Sequence, residues 1–242
     1  MSLKIIKIRK SHERFRSNRE WLNSMHSFSF AEHRDPKWDN FGNIRVINED
    51  IISPNSGFNM HSHSDMEIIT VVTKGAITHR YSLNNSGKIY ENEVQVMSAG
   101  TGITHSEKNE ENKTCKLFQI WIYPKKSNLK PDYKQTSFKN GIGENLILDY
   151  LDGKNKLLIN QDISLWRCKY KPIKEKKLPL KIDKYNWIQI IEGSLLLKTK
   201  DSNSNMCLES GDGLGFEVNY YDDISIDTEK ELDFLLFSMP SL

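Results

Sequence analysis

The chain has 242 residues, 37% of them hydrophobic and 27% charged, which supplies a sizeable core and excludes a disordered polymer. Its 34 Lys and Arg against 32 Asp and Glu leave a formal charge of +2, too balanced for the basic footprint of a nucleic-acid binder. No apolar run approaches the ~18 residues of a membrane span, the first residues lack the apolar core of a secretion signal, and Cys115, Cys168 and Cys207 are far apart and odd in number, so reduced thiols and a cytoplasmic location are expected.

Alternation of apolar and polar residues, the mark of strands, dominates the chain. "LKIIKIRK" opens it, and "HERFRSNREWL" (residues 12–22) is the one stretch able to make a helical turn or two. "SFSF", "IRVINED", "MEIITVVTKGAITHRYSL", "EVQVMS" and "KLFQIWIYP" follow as expected strands, separated by Asn, Gly, Ser and Pro turn signals. Asp35-Pro36 and Asn48-Glu49-Asp50 read as turn and cap chemistry. Residues 125–145, rich in Lys, Pro, Asn and Gly, read as a linker between a domain at 1–124 and another at 146–242. Beyond it "LLINQDISLWRCKY", "WIQIIEGSLLLKT", "CLESGDGLGFEV", "DISID" and "ELDFLLFSMP" resume the alternation. The lysine-rich "KPIKEKKLPLK" (171–181) reads as a solvated loop. Many short strands predict an all-β protein of sandwiches or barrels. "EIITVVTKGAI" and "WIQIIEGSLLL" share a strand, Gly turn, strand pattern, and predict two copies of one unit.

The chemistry-bearing residues divide unequally between the copies. All seven histidines (His12, His26, His33, His61, His63, His79 and His105) lie in the first 105 residues. Aligning Gly75 with Gly193 sets Pro179 and Lys181 against His61 and His63, so a metal site belongs to the first copy alone. Residues two apart on a strand share a face, so His61 and His63 form one same-face pair and His105 and Glu107 another. Two such pairs on neighbouring strands converge on one ion. Three imidazole nitrogens and one carboxylate oxygen, without sulfur, suit Fe(II), with Mn, Ni, Co or Zn as alternatives. His79 is expected at an exposed strand end, His12 and His33 without a metal role, and Trp121 and Trp187 in the core.

The residues also resemble a family. His61-Ser-His63 followed by Glu67, and Gly102-Ile-Thr-His105-Ser-Glu-Lys-Asn109, resemble the two cupin motifs. "HSFSFAEHRDP", "FGNIRVINED", "HSHSDMEIITVVTKGAITH", "VQVMSAGTGITHSE" and "LFQIWIYP" are similar to the pirin family, as are "INQD" and "SGDG" in the second half. Gly57 and Gly100 depart from the general cupin pattern but agree with pirins. The resemblance implies an all-β bicupin: two antiparallel β-barrels of jelly-roll type, an N-terminal metal-binding cupin and a C-terminal metal-free one. It implies a divalent ion, Fe(II) foremost, held by His61, His63, His105 and Glu107. Many other cupins use the glutamate of the first motif, here Glu67, and strand parity does not choose between the two. The implied activity is that of bacterial pirin-like quercetin 2,3-dioxygenases, which open a flavonol with O2 and release CO. The partners are then a small flat aromatic substrate and O2, in a monomer, with no nucleic acid and no membrane. Glu107 is the catalytic base that takes the flavonol's 3-hydroxyl proton, and Phe28, Phe30 and Met97 are candidates for an apolar pocket or for ordinary core. The alternative implied by the family is a non-enzymatic, iron-dependent regulator that binds a protein partner.

Overall fold

The computed structural model describes residues 3–81, 85–138, 141–149, 157–200, 205–218 and 224–241. Among them the helical segments are two short 3-10 turns, Ser11–Glu13 and Pro36–Trp38. The first is all that "HERFRSNREWL" makes of its helical potential, because Phe15–Arg19 and Leu22–His26 pair as a hairpin. The second has Pro within its first turn, where a missing N–H costs nothing, and is capped by Asp35, whose carboxylate accepts from the Lys37 amide at 3.0 Å. The remaining regular structure is antiparallel strand. No helix among the described residues is long and apolar enough to cross a membrane.

The chain forms two compact units. The first comprises Phe15–Lys139 and Asp152–Gln161, the second Met1–Arg14, Asn140–Leu151 and Asp162–Leu242. In the first unit a seven-stranded sheet runs Asp132–Ser137, Glu93–Ser98, Glu67–Lys74, Cys115–Ile122, Ile44–Ile52, Leu22–His26, Phe15–Arg19. It faces a four-stranded sheet in the order Ser56–His63, Ile103–Asn109, Ala76–Tyr81, Asn85–Tyr90. The second unit has a six-stranded sheet, Leu3–Arg9, Gly213–Val218, Lys184–Glu192, Leu232–Pro240, Ser164–Tyr170, Gly143–Asp149, and a four-stranded one, Ile173–Lys176, Ile224–Thr228, Ser194–Thr199, Met206–Glu209. Place by place the two orders agree, so the expected duplication is present in the topology. Each unit is a two-sheet jelly roll, and its hydrogen bonding does not close into a continuous ring.

Several expectations are corrected. The segment 125–145 is not a plain linker: Asp132–Ser137 is an edge strand on Glu93–Ser98, and Gly143–Asp149 pairs with Ser164–Tyr170. Residues 139–140 of it lie outside the described residues. The opening strand Leu3–Arg9 pairs with Gly213–Val218, so the chain's first residues group with its second half. "SFSF" is not a strand; Ser27 and Ser29 are buried with Phe28, and their amides donate to the carbonyls of Ile47 and Trp38. Asn48, Glu49 and Asp50 lie inside the strand Ile44–Ile52. Within 171–181, Ile173–Lys176 is a strand and Leu178 and Leu180 are buried. Pro179 and Lys181 lie beyond that strand, so they are not the structural counterparts of His61 and His63.

The duplicated turn is exact enough to compare atom by atom. Gly75 (φ +77°) and Gly193 (φ +91°) each join a strand of the larger sheet to a strand of the smaller one in a left-handed conformation that costs an L-residue about 1 kcal/mol. A Cβ on Gly75 would stand 3.1 Å from the Thr114 carbonyl oxygen; on Gly193 it would stand 2.2 Å from that of Glu231.

The interiors differ. In the first unit, Ile52, Val72, Ile77, Cys115 and Leu117 cluster at one end, and Ile68, Tyr81, Met97, Ala99 and Ile103 at the other. Between them a row of directly paired residues, His26, Asn48, Gln119, Thr70 and Gln95, crosses the seven-stranded sheet, all of them buried. His79, His105 and Glu107 continue this polar belt on the four-stranded sheet. Following the same registers through the second unit puts Trp166, Leu236, Ile188 and Leu214 at the places of Asn48, Gln119, Thr70 and Gln95. Leu197, Ile224 and Ile226 stand at those of His79, His105 and Glu107. All seven belong to one apolar cluster.

Two predictions follow from this packing. Both glycine-to-alanine changes pay the positive φ, but only Gly193→Ala drives a methyl into a backbone carbonyl; Gly75→Ala is expected to cost about 1 to 2 kcal/mol and Gly193→Ala roughly 3. Urea unfolding of the two variants checks the ranking, and equal losses would contradict it. The second concerns Asp50 in the belt, whose carboxyl is pushed up to about 7 by burial, against a hydrogen bond donated by Ser24. Stability from a raised carboxyl is fully present below its ordinary value near 3.8 and is lost as pH rises through about 7. Asp50→Asn is therefore expected to flatten the fall in stability of the metal-free protein between pH 5 and pH 8, by up to a few kcal/mol; an unaltered slope in urea titrations at the two pH values would rule out the assignment.

Candidate metal centre

The strands Ser56–His63 and Ile103–Asn109 are antiparallel, with His61 opposite His105 and His63 opposite Ile103. A bulge between His105 and Glu107 then shifts the register, so that Glu107 stands opposite Phe58. Such a bulge re-aims the side chains around it. Gly57 permits the close approach there: a Cβ on it would lie 2.2 Å from the Glu107 carbonyl oxygen. The result is a triangle of imidazoles with ring centroids 4.3 Å (His61, His105), 4.9 Å (His61, His63) and 4.9 Å (His63, His105) apart. Their ligating nitrogens all lie within 4.8 Å of one another.

The protonation of these rings fits a cation. His61 Nδ1 is 2.7 Å from the Asn59 carbonyl oxygen; a carbonyl only accepts, so the proton sits on Nδ1 and the Nε2 lone pair is free. His63 Nε2 and His105 Nε2 are buried with no hydrogen-bond partner in the protein. Burial, with the imidazole of His61, holds the His63 ring down at about 4; burial, with His79, His61 and His63, holds His105 at about 2. Both rings are neutral at physiological pH and offer lone pairs, as metal ligation requires. A divalent ion answers buried nitrogens that the chain itself leaves without partners.

Glu107 is buried with its Oε2 accepting from Gln119 Nε2 at 2.7 Å and its Oε1 from Thr70 Oγ1 at 3.5 Å. Burial raises its carboxyl to about 7, the Gln119 bond opposing and the Asp50 charge adding to the rise. Its oxygens group with His79 and His105, and not with His61 and His63. The expected four donors thus form two overlapping groups that share His105.

Glu67 lies elsewhere. The strand ends at His63, the chain turns through Asp65 at φ +47°, and Glu67 begins a strand of the other sheet. Its buried carboxylate accepts from Ser98 Oγ at 2.7 Å, the Asn160 amide at 3.1 Å and Asn160 Nδ2 at 3.3 Å. Parity between 61 and 67 is broken by that turn, and Glu67 is bonded to Ser98 and Asn160, away from the imidazoles and from solvent. His79, expected at the surface, is fully buried, with Nε2 2.5 Å from His105 Nδ1. The signal was present in sequence, since His79 shares parity with Ile77 and Tyr81 on one strand.

Phe28 and Met97 are fully buried, Phe28 beside Trp38 and Met97 in the cluster with Ile68 and Tyr81. The aromatic side chains at the triangle are instead Trp121, half-buried, its ring edge-on to His63 at 4.9 Å and to Phe30 at 5.4 Å, and Phe58, 6.3 Å from the ring of His61. Trp187 is core, as expected. His33 stacks on Phe15. Cys115 and Cys168 are buried free thiols and Cys207 an exposed one. A depression of about 280 Å³ lined by Ser62, His63, Ser64, Gly102, Ile103 and Thr104 opens beside the triangle.

The chain is similar to known proteins over nearly its whole length. The Pirin family matches residues 8–122, and the quercetinase C-terminal cupin domain matches residues 150–239. Quercetin 2,3-dioxygenase of Escherichia coli K12 is 36% identical over 241 residues, covering 98% of this chain and 99% of that protein. A pirin-like protein of Caulobacter vibrioides is 51% identical over 121 residues, 50% of this chain and 52% of that one. Among solved structures, the bacterial pirin YhhW of E. coli in complex with nickel(II) superposes with a TM-score of 0.87 at 34% identity, covering 98% of this chain and 99% of that one. With both halves matched and a full-length relative above a third identity, the chain belongs to the pirin family.

Proposed function

We propose that this chain is a pirin-type dioxygenase that opens flavonols such as quercetin with O2 and releases CO, using one divalent metal ion. The observation that carries the reading is the triangle of imidazoles, two of them, His63 and His105, with a buried Nε2 that has no partner in the protein, set beside a buried carboxylate. The full-length E. coli relative named quercetin 2,3-dioxygenase supplies the substrate class. His61, His63 and His105 would hold the ion, with Glu107 as the carboxylate of the set. Nitrogen and oxygen donors without sulfur favour Fe(II) and admit Mn, Co, Zn or Ni, the last being the ion bound to the E. coli pirin. When bound, the ion supplies Lewis-acid stabilisation of the substrate's oxyanion and an electronic route to dioxygen.

The chain's own residues do the rest. Glu107, raised toward neutrality by burial, is matched in proton affinity to its role as a base at physiological pH. Gln119 and Thr70 orient its two oxygens, so that the proton of the flavonol 3-hydroxyl has one defined destination. The edge of Trp121 against His63 gives a flat ring system an aromatic neighbour. The fully buried belt behind the triangle keeps bulk water from the carboxylate.

Protein loaded separately with Fe(II), Ni(II), Co(II) or Mn(II) is expected to bleach quercetin, consuming one O2 and releasing one CO per flavonol; no turnover above the metal-free control with any ion would end the flavonol assignment. His61→Ala and His105→Ala are each expected to strip the metal, as elemental analysis would report. Glu107→Gln is expected to lower turnover by roughly 10²- to 10⁴-fold, the usual contribution of a general base; wild-type turnover in that variant would remove Glu107 from the chemistry.

A further inference from the structure

The sequence places His79 at an exposed strand end and gives it no part in the metal site. It stands opposite Glu107 on the strand Ala76–Tyr81, fully buried, in the middle of the polar belt. Its ring lies 4.7 Å from that of His105 and stacks on Tyr133 at 5.6 Å. Its Nε2 is within hydrogen-bond distance of His105 Nδ1, while its Nδ1 is buried with no partner. A histidine here therefore leaves one buried polar atom unmet, a desolvation cost of about 1 to 3 kcal/mol that a leucine would avoid. The second unit has that leucine: Leu197 occupies the equivalent place in the apolar cluster, with Ile224 and Ile226 as its neighbours across the ladder. The jelly roll does not need an imidazole at this position, and the atom that justifies one is Nε2.

Two neutral imidazoles joined by one hydrogen bond can be arranged in two ways. If His79 Nε2–H donates, His105 Nδ1 accepts, the one N–H proton of His105 sits on Nε2, and that nitrogen cannot ligate. If His105 Nδ1–H donates, His79 Nε2 accepts, and the His105 Nε2 lone pair is open toward His61 and His63. We infer that His79 is a positioning residue for the metal centre, the acceptor that fixes His105 in its Nε2-ligating tautomer and orients its ring. His61 has the same device in the Asn59 carbonyl. Ligating histidines are commonly held through their other nitrogen in this way, and loss of the partner costs roughly 10- to 100-fold in metal affinity. The inference rests on the metal-centre reading above, and adds that the belt residue behind His105 is part of the site.

The test uses the full-length protein and Ni(II) as the probe, its affinity measured by competition with a chelator. His79→Leu, the residue of the second unit, is expected to leave the metal-free protein folded and at least as heat-stable, and to weaken Ni(II) binding roughly 10- to 100-fold. His79→Gln sets an amide oxygen near the place of Nε2 and is expected to recover most of that loss. A residue that merely fills space predicts the reverse order or no change. Nitrogen-15 histidine spectra of the Zn(II)-loaded wild type give an independent readout, with the His105 proton expected on Nδ1. Wild-type affinity in His79→Leu, equal losses in both variants, or a His105 proton on Nε2 would each overturn the inference. His105→Ala separates the two levels: if it too retains Ni(II), the metal centre itself is wrong, whereas its loss alongside an unaffected His79→Leu refutes only the role of His79.

Discussion

Buried polar groups must find partners, and the first unit places a belt of them where a jelly roll ordinarily has aliphatic core. His26, Asn48, Gln119, Thr70 and Gln95 on one sheet face His79, His105 and Glu107 on the other. Most of the rest of that unit can be understood from how the belt is satisfied. Asn48 Oδ1 meets His26 Nδ1 at 2.8 Å, Ser24 serves Asp50, and Gln119 serves Glu107. The residual unpartnered atoms are concentrated on the imidazoles and on Gln95. The second unit shows that neither topology nor folding asks for this. Its equivalent seven positions are Trp166, Ile188, Leu197, Leu214, Ile224, Ile226 and Leu236, a single apolar cluster. The belt is a cost that the proposed metal chemistry accounts for, and the unit carries it between two apolar clusters.

That layering also gives the site its rigidity. Every belt residue is on a strand with both neighbours paired, so its backbone position is set by ladder hydrogen bonds on either side, whereas His61 and His63 lie on the edge strand Ser56–His63, paired on one side. Sites built on paired strands are held more closely than sites on loops. The bulge between His105 and Glu107 lets a single strand deliver an imidazole and a carboxylate to two overlapping donor groups.

Much of this was legible before any coordinates. Two-residue alternation and turn signals were enough for an all-β chain, and the Gly75 and Gly193 turns were enough for the duplication. The confinement of histidine to the first 105 residues located the polar interior in one copy. What was missed has physical reasons. Asn48, Glu49 and Asp50 have turn chemistry as residue types, but ladder pairing on both sides, to Gln119, Phe118 and Leu117 and to His26, Met25 and Ser24, overrides local preference. Asp132–Ser137 is an edge strand of largely polar, exposed residues, so it has no hydrophobic alternation to betray it. His79 was hidden because polarity alone was read as exposure, although the parity of Ile77 and Tyr81 already put it inside.

The choice between the two glutamates turns on the same distinction between sequence parity and sheet membership. His61, His63 and Glu67 are evenly spaced, and on an unbroken strand they would share a face. The turn at Ser64, Asp65 and Met66 is pinned from several sides: the Asp65 amide donates to Gly100 O at 2.9 Å, the Ala99 amide to Met66 O at 2.8 Å, and the Asn128 amide to the Asp65 carboxylate at 2.7 Å. The chain therefore changes sheets between the histidines and Glu67. Once there, Glu67 is fully engaged by Ser98 and by both the amide and side chain of Asn160, and it anchors a late segment of the first unit. Moving it to the imidazoles would strip a buried carboxylate of three donors, each worth about 1.5 to 3 kcal/mol when the partner is charged. Glu107 has fewer ties, one good bond from Gln119 and a long one from Thr70, and a carboxylate oxygen of it lies within 4.8 Å of ring nitrogens of His79 and His105. Of the two buried carboxylates, Glu107 is the one the fold binds less tightly, which is what the proposed function asks of its base.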